Sequence, residues 1–248
     1  MRRFGWFGTV ALMGAIAVIG CQAASGGKGA VRVKTELAPN IDSYNVSKIA
    51  VLGLANTTGN PDADKMADYI TQALGGTEKY YFADRETFAR DAEQFRVAQD
   101  YDRLLSSWQK VRKLDPKELS AVLEATGYDA LVGIEVNKWE EVKLSPNQEG
   151  TSDTSVGARV EMYAPDGTLL WSASDLKTEK SQPYNPEYNI RATTQNQART
   201  TSAKAVPDPP PIEKVAVAVS TEIADTLPLI KRAPSSGMDD DRRDDGGR

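Results

Sequence analysis

Ser107 and Ser174 each stand three residues ahead of a lysine, in Ser107-Trp108-Gln109-Lys110 and in Ser174-Asp175-Leu176-Lys177. At that spacing a lysine amine can help activate a serine hydroxyl. The first pair falls inside a stretch of helical period whose Trp108 belongs to the apolar stripe. The second falls in a strand pattern, where positions three apart point to opposite faces, so neither pair is expected to be catalytic. Glu140 and Glu141, beside Trp139, offer paired carboxylates for acid and base work, yet adjacent strand residues diverge. The acids of Asp239-Asp240-Asp241-Arg242-Arg243-Asp244-Asp245 lack the Gly-organised alternation of a calcium loop. No metal and no cofactor is expected. Asn56-Thr57-Thr58-Gly59-Asn60 leads into a helix start, where free amides can hold an anion. The lysine and glycine spacing of a P-loop are missing, and turn formation with helix capping explains the same residues. If a small ligand binds, this loop is the first place to look. The 248 residues include no histidine, which removes the commonest general base and metal ligand.

The single cysteine, Cys21, excludes a disulfide within the chain. It follows Arg2 and Arg3, an apolar run from Thr9 to Ile19 and the small Gly20, the three-part plan of a secretory signal peptide over residues 1–20. That run is shorter than the roughly 20 apolar residues of a permanent transmembrane helix. Val18-Ile19-Gly20-Cys21 resembles the lipobox of bacterial lipoproteins. The resemblance implies that the Cys21 thiol receives a diacylglycerol, that the leader is cut before it, and that the new amino terminus is acylated. Several acyl chains hold a protein far more firmly than one. Gln22, where an aspartate would resemble an inner-membrane retention signal, favours the periplasmic face of the outer membrane by analogy. Residues 21–44, rich in Gly, Ala, Ser and Lys, are read as a flexible tether behind the lipidated cysteine.

The elements that must position any site follow from periodicity. Lys48–Ala55 is a continuous apolar run of strand length, read as a central strand covered on both faces. Ala63, Met66, Ala67, Ile70 and Leu74 then recur at helical spacing, with Asn60 as cap, Pro61 in the first turn and Gly75-Gly76 at the end. A strand over Tyr80–Ala83 and helices over Arg85–Phe95 and Tyr101–Leu114 follow. The stripe of the last is Tyr101, Leu104, Leu105, Trp108 and Val111. Asp115-Pro116-Lys117-Glu118 opens a short helix that Gly127 closes. Alternation then marks strands from Ala130 to about Glu141 and from Thr154 to Met162. A turn at Pro165-Asp166-Gly167 precedes a returning strand at Leu169. The expected fold class is α/β (α+β): a single mixed sheet with a βαβ-type start, an antiparallel strand meander, and helices packed on the sheet. The domain spans 45–230, with a long polar loop at 183–211 in which Tyr184, Tyr188 and Ile190 are candidate partner contacts. A disordered charged tail fills 231–248. Formal net charge is −5 with both signs interspersed, which argues against nucleic acid as a partner.

KIAVLGLANTTGNPDADKMADYITQAL, ATGYDALVGIEVNKWEE and VGARVEMYAPDGTLLWSAS resemble, in that order, segments of one superfamily. It contains the curli-secretion lipoproteins, the lipoprotein activators of penicillin-binding proteins and the amino-terminal domain of the Tol-system translocation protein. The resemblance covers about residues 46–227 and implies a role as envelope assembly factor, activator or export pore. Neither Gln182–Pro211 nor the loop after Leu144 carries the long lipid-facing strands that a pore needs, which disfavours the pore. The expectation is a non-enzymatic lipoprotein attached to the membrane by its lipid, working with an envelope protein or by self-association. An envelope-polymer hydrolase or a small-ligand-binding lipoprotein is the alternative.

Overall fold

A run such as Lys48–Asn56, apolar at every position but its ends, is stable only where both sides are dry, and it sits near the middle of one six-stranded sheet. The computed structural model describes residues 33–186 and 205–230. The leader, Cys21, Tyr188, Ile190 and the 231–248 tail lie outside the described residues. The strands are β1 (Lys34–Leu37), β2 (Lys48–Asn56), β3 (Tyr81–Ala83), β4 (Ala130–Val142), β5 (Asp153–Tyr163) and β6 (Leu169–Lys180). Their order is β1-β6-β5-β4-β2-β3. β2 runs parallel to both β3 and β4, and β4, β5 and β6 form an antiparallel meander to which β1 adds antiparallel. The fold class is the one expected.

The helices are α1 (Met66–Gly75), α2 (Arg85–Gln94), α3 (Ala98–Val111), α4 (Pro116–Thr126) and α5 (Ile212–Asp225). Side chains alternate across a strand, and β2 divides accordingly. Ile49 and Val51 join one core with Met66, Ile70 and Leu74 of α1 and Val215, Val219 and Ile223 of α5. Ala50 and Leu52 join the other with Phe88 of α2, Leu104 and Trp108 of α3, and Leu119 and Leu123 of α4. The second core is anchored where the Trp108 indole lies on the backbone of Gly133 in β4. A Cβ there would come within 2.5 Å of the ring, and the indole N–H donates to the carbonyl of Ile134 at 3.0 Å. A buried tryptophan of this kind needs its one donor satisfied.

Three boundaries differ from expectation. The supposed tether does not extend to residue 44: Lys34–Leu37 pairs with Trp171–Ser174, and a 3-10 turn follows at Ile41–Ser43. The four strand residues are all exposed, so backbone pairing rather than apolar content holds them, and no hydrophobic pattern announced it. The α3 helix stops at Val111, where Arg112 adopts a left-handed conformation. Val111, expected on the buried stripe, is 59% exposed. The two ends of the 183–211 loop return to the sheet. Tyr184 and Gly150 exchange backbone hydrogen bonds of 2.8 and 3.0 Å, while Ser152 and Thr154 hydroxyls donate to the carbonyls of Pro207 and Pro210 at 2.7 and 2.5 Å. Among the described residues no helix is long and apolar enough to cross a membrane.

Truncating Trp108 to Ala empties a fully buried site and is expected to cost about 3–5 kcal/mol. Gly133→Ala, which forces a methyl into the same contact, is expected to cost about 1–3 kcal/mol. Urea-induced unfolding of both variants against the parent checks the pair; an unchanged midpoint for Gly133→Ala would show that the indole is not held against that backbone.

Candidate functional site

In sheets with parallel strands, ligands gather beyond the carboxyl ends of those strands, and a cleft among the described residues lies there. β3 pairs only with Lys48–Ala50 of β2. From Val51 onward that edge of β2 has no strand partner among the described residues, and a cleft of about 1410 Å³ opens along it. α1 forms one wall with Asp68 and Thr71, and α3, from the opposite face of the sheet, forms the other with Tyr101, Leu105 and Gln109. Gly53, at φ +147°, carries the edge through a bulge between Val51 and Gly53. A Cβ at Gly53 would stand 2.9 Å from Leu105 Cδ1 and 3.6 Å from Arg85 Cδ, so only glycine lets those side chains lie against the strand.

Hydrogen-bond acceptors dominate this cleft. Five carboxylates line it, Asp64, Asp68, Asp84, Glu86 and Asp102, against the two cations Lys65 and Arg85. Lys65 is already paired with Asp62 at 3.2 Å, which holds its ammonium above the usual lysine range through a side-chain hydrogen bond. The Asp84 carboxylate caps α2 by accepting the Thr87 amide at 2.7 Å, and that bond keeps its pKa below the usual carboxylate range. The carbonyls of Leu52 and Leu54 receive only long bonds, from the Tyr101 hydroxyl at 3.5 Å and the Gln109 amide at 3.4 Å. Burial raises the Tyr101 phenol, so it remains a neutral donor.

The Asn56-Thr57-Thr58-Gly59-Asn60 loop sits at the mouth, but its side-chain donors are taken up within the loop and by its neighbours Asp64 and Val136. Asn56 accepts from the Thr58 amide and hydroxyl at 3.0 and 2.8 Å and donates to the Asn60 carbonyl and Asp64 at 2.7 and 2.8 Å. Thr57 donates to the Val136 carbonyl at 2.9 Å. The Asn60 side chain accepts the Asp62 amide at 2.9 Å at the head of the 3-10 turn Pro61–Lys65 that precedes α1. Turn formation and capping account for these five residues, and the neighbouring acids oppose an anion. Tyr184 lies elsewhere, at the Gly150 bridge.

Other chemically suggestive residues are not brought together. The Ser107 hydroxyl donates to the Lys113 carbonyl at 2.7 Å. Lys177 pairs with Glu222 of α5, while Glu140 pairs with Lys138. A second acidic pair, by contrast, is new: Asp175 on β6 is 6% exposed and faces Glu222. Burial first, then the Glu222 charge, raises the Asp175 pKa, and no hydrogen bond reaches its Oδ2. It is a contact between β6 and α5, remote from the cleft residues in the fold. The acids of the cleft were missed in the sequence because they are scattered over a 3-10 turn, the α2 cap and the polar sides of three helices. Gly53 inside a strand was the one available signal, since such a glycine marks a bulge or a close approach.

No protein-family model matches the sequence, and no curated protein does so either. Solved structures similar in fold include the PelC dodecamer from Paraburkholderia phytofirmans, at 15% identity over 77% of this chain and 92% of that one, with a TM-score of 0.43. Lipoprotein GNA1162 from Neisseria meningitidis is 19% identical over 61% of this chain and 96% of its own, with a TM-score of 0.41. The C-terminal domain of LpoB from Salmonella enterica is 11% identical over 54% of this chain and 84% of its own, with a TM-score of 0.34. These likenesses concern the course of the chain and carry nothing about partners or chemistry.

Asn56→Ala opens the loop at the cleft mouth and Asp84→Ala removes the α2 cap; each is expected to lower stability by about 1 kcal/mol. Because the Asp84 pKa is depressed on folding, its contribution is present above the unfolded value and disappears as pH falls through the folded one. Denaturant midpoints for Asp84→Ala and parent should therefore converge in acid. Asp175 has the opposite sign: its raised pKa makes the folded chain more stable at low pH and less so as pH rises through the folded value. Asp175→Asn should be more stable than the parent at neutral pH, by a margin that vanishes on acidification, as read from urea midpoints between about pH 4 and about pH 8.

Proposed function

We propose that this chain is a lipid-anchored protein of the bacterial envelope that binds a partner and serves as a non-enzymatic assembly or regulatory factor, positioned on the periplasmic face of the outer membrane. The observation that carries the reading is the cleft: a concavity along an uncompleted strand edge, lined by carboxylates from three helices and a 3-10 turn, with no group of three acids among the described residues placed to share a metal ion. The serine–lysine pairs give no competing support, since Ser107 is engaged by the Lys113 carbonyl and Lys177 by Glu222. Attachment rests on the Cys21 pattern and its flanking leader. The chain from Gln22 to Arg32 separates the acylated cysteine from the first described residue, Val33.

The test is metabolic labelling with palmitate followed by crosslinking capture from the native envelope. Parent protein should carry label, sediment with outer membranes and retain a defined envelope partner at constant ratio. Cys21→Ser should lose the label and the sedimentation. Label on the serine variant would remove the anchor. A labelled parent that captures nothing at constant ratio, yet turns over an envelope polymer, would replace binding with catalysis.

A further inference from the structure

The cleft also carries information about what fills it. Its size exceeds the roughly 300–1,000 Å³ of ordinary small-molecule pockets, and its shape follows a strand edge over Val51–Asn56, a length of about 20 Å at some 3.3 Å per residue. An occupant of that form is an extended polypeptide. The chemistry of the walls selects its side chains. Asp64 and Asp68 on one side and Glu86 and Asp102 on the other present carboxylates, the strand edge adds the Leu54 carbonyl with only a long bond of 3.4 Å, and every one of these groups accepts. The fold already places two cations there: Lys65, paired with Asp62, and Arg85, which extends its side chain over Gly53 and interacts with the Tyr101 hydroxyl.

We propose that the cleft along the unpaired edge of β2 binds an extended segment of an envelope protein partner bearing lysine or arginine side chains. The proposal rests on the binding function argued above and names the chemistry of the partner. The cationic side chains meet the carboxylates on both walls, and a backbone donor of the segment meets the Leu54 carbonyl. Edge strands left open are natural templates for such addition, with backbone bonds supplying affinity and charge supplying selection. The bulge at Gly53 limits the pairing to a few residues, and Arg85 and Leu105 swing aside on long side chains as the segment enters.

The experiment uses the full chain in detergent micelles and a fluorescent octapeptide of alternating lysine and threonine or valine. Its controls are a charge-reversed glutamate peptide and a lysine peptide methylated on alternate backbone nitrogens. Fluorescence anisotropy should show binding of the lysine peptide that weakens several-fold between about 50 and about 300 mM salt. The glutamate and N-methylated peptides should bind at least about ten-fold more weakly. Asp68→Asn with Asp102→Asn should weaken binding several-fold, whereas Glu140→Gln with Glu141→Gln, which removes the same charge outside the cleft, should leave it unchanged. Equal loss in the two double variants would reduce the effect to the overall negative charge and overturn the proposal, as would equal binding of the N-methylated peptide. Residues 188–204 of the chain carry Arg191, Arg199 and Lys204 and no acid. A ten-fold gain in peptide affinity on deleting them would mean that the chain fills its own cleft, and peptide-sensitive self-association in sedimentation would assign the cleft to a second copy; either overturns the partner assignment. Failure of peptide binding with envelope capture intact would leave the binding function standing and remove only this site.

Discussion

A parallel strand pair that is apolar on both faces must be covered twice, and the pairing of β2 with β4 imposes that demand on everything around it. One cover comes from α1 and the returning α5, the other from α2, α3 and α4. The second cover is fixed by a single close contact, the Trp108 ring on the Gly133 backbone with its N–H on the Ile134 carbonyl. Tertiary contacts of this type set where a helix axis can lie, because interiors are packed to crystal density and leave no slack for alternatives. With α3 fixed there, Tyr101, Leu105 and Gln109 are carried to the edge of β2, so the wall of the cleft is a consequence of the core.

The antiparallel half of the sheet obeys a different constraint. Its inward residues Val156, Ala158, Val160 and Met162 join the α1 and α5 core. Its other face is polar and held by linked charges: Arg112 with Glu135 at 3.1 Å, Arg159 with Glu161 at 2.5 Å, and the Tyr163 hydroxyl donating to Glu161 at 2.5 Å. Burial, reinforced by that carboxylate, drives the Tyr163 pKa far upward, and the phenol stays a donor across the physiological range. Antiparallel sheets tolerate one wet face, so no further helix is required there, and the helices concentrate around β2. The cleft forms where this concentration ends, beyond the three residues of β3.

Charge gives the cleft its selectivity more than its strength. Exposed carboxylates in water contribute little individually, but several of one sign around a concavity raise the local concentration of the opposite charge and reject the same one. The long bond to the Leu54 carbonyl adds an incentive of another kind, since a backbone carbonyl with a better donor on offer will exchange for it.

Much of this was legible in the residues themselves. The doubly buried β2, the Asn60 and Asp115 caps, the stripe of α3 through Trp108 and the alternating meander all follow from local periodicity and capping chemistry, where the signal lies within a few residues of its effect. The pairing of Lys34–Leu37 with β6 was not legible, because a fully exposed strand is held by backbone bonds that any sequence can make. Nor were the acids of the cleft or the Asp175–Glu222 contact. A carboxylate on the polar side of a helix looks the same in the sequence whether it meets solvent, a neighbouring charge or a binding groove. The sequence by itself determined most of the dry faces and the capped helix starts at Asn60 and Asp115, because burial periodicity and capping are properties of adjacent residues. Only the tertiary structure decided which polar faces confront one another across the β2 edge, because that depends on how far the short β3 reaches and where the Trp108 contact sets α3.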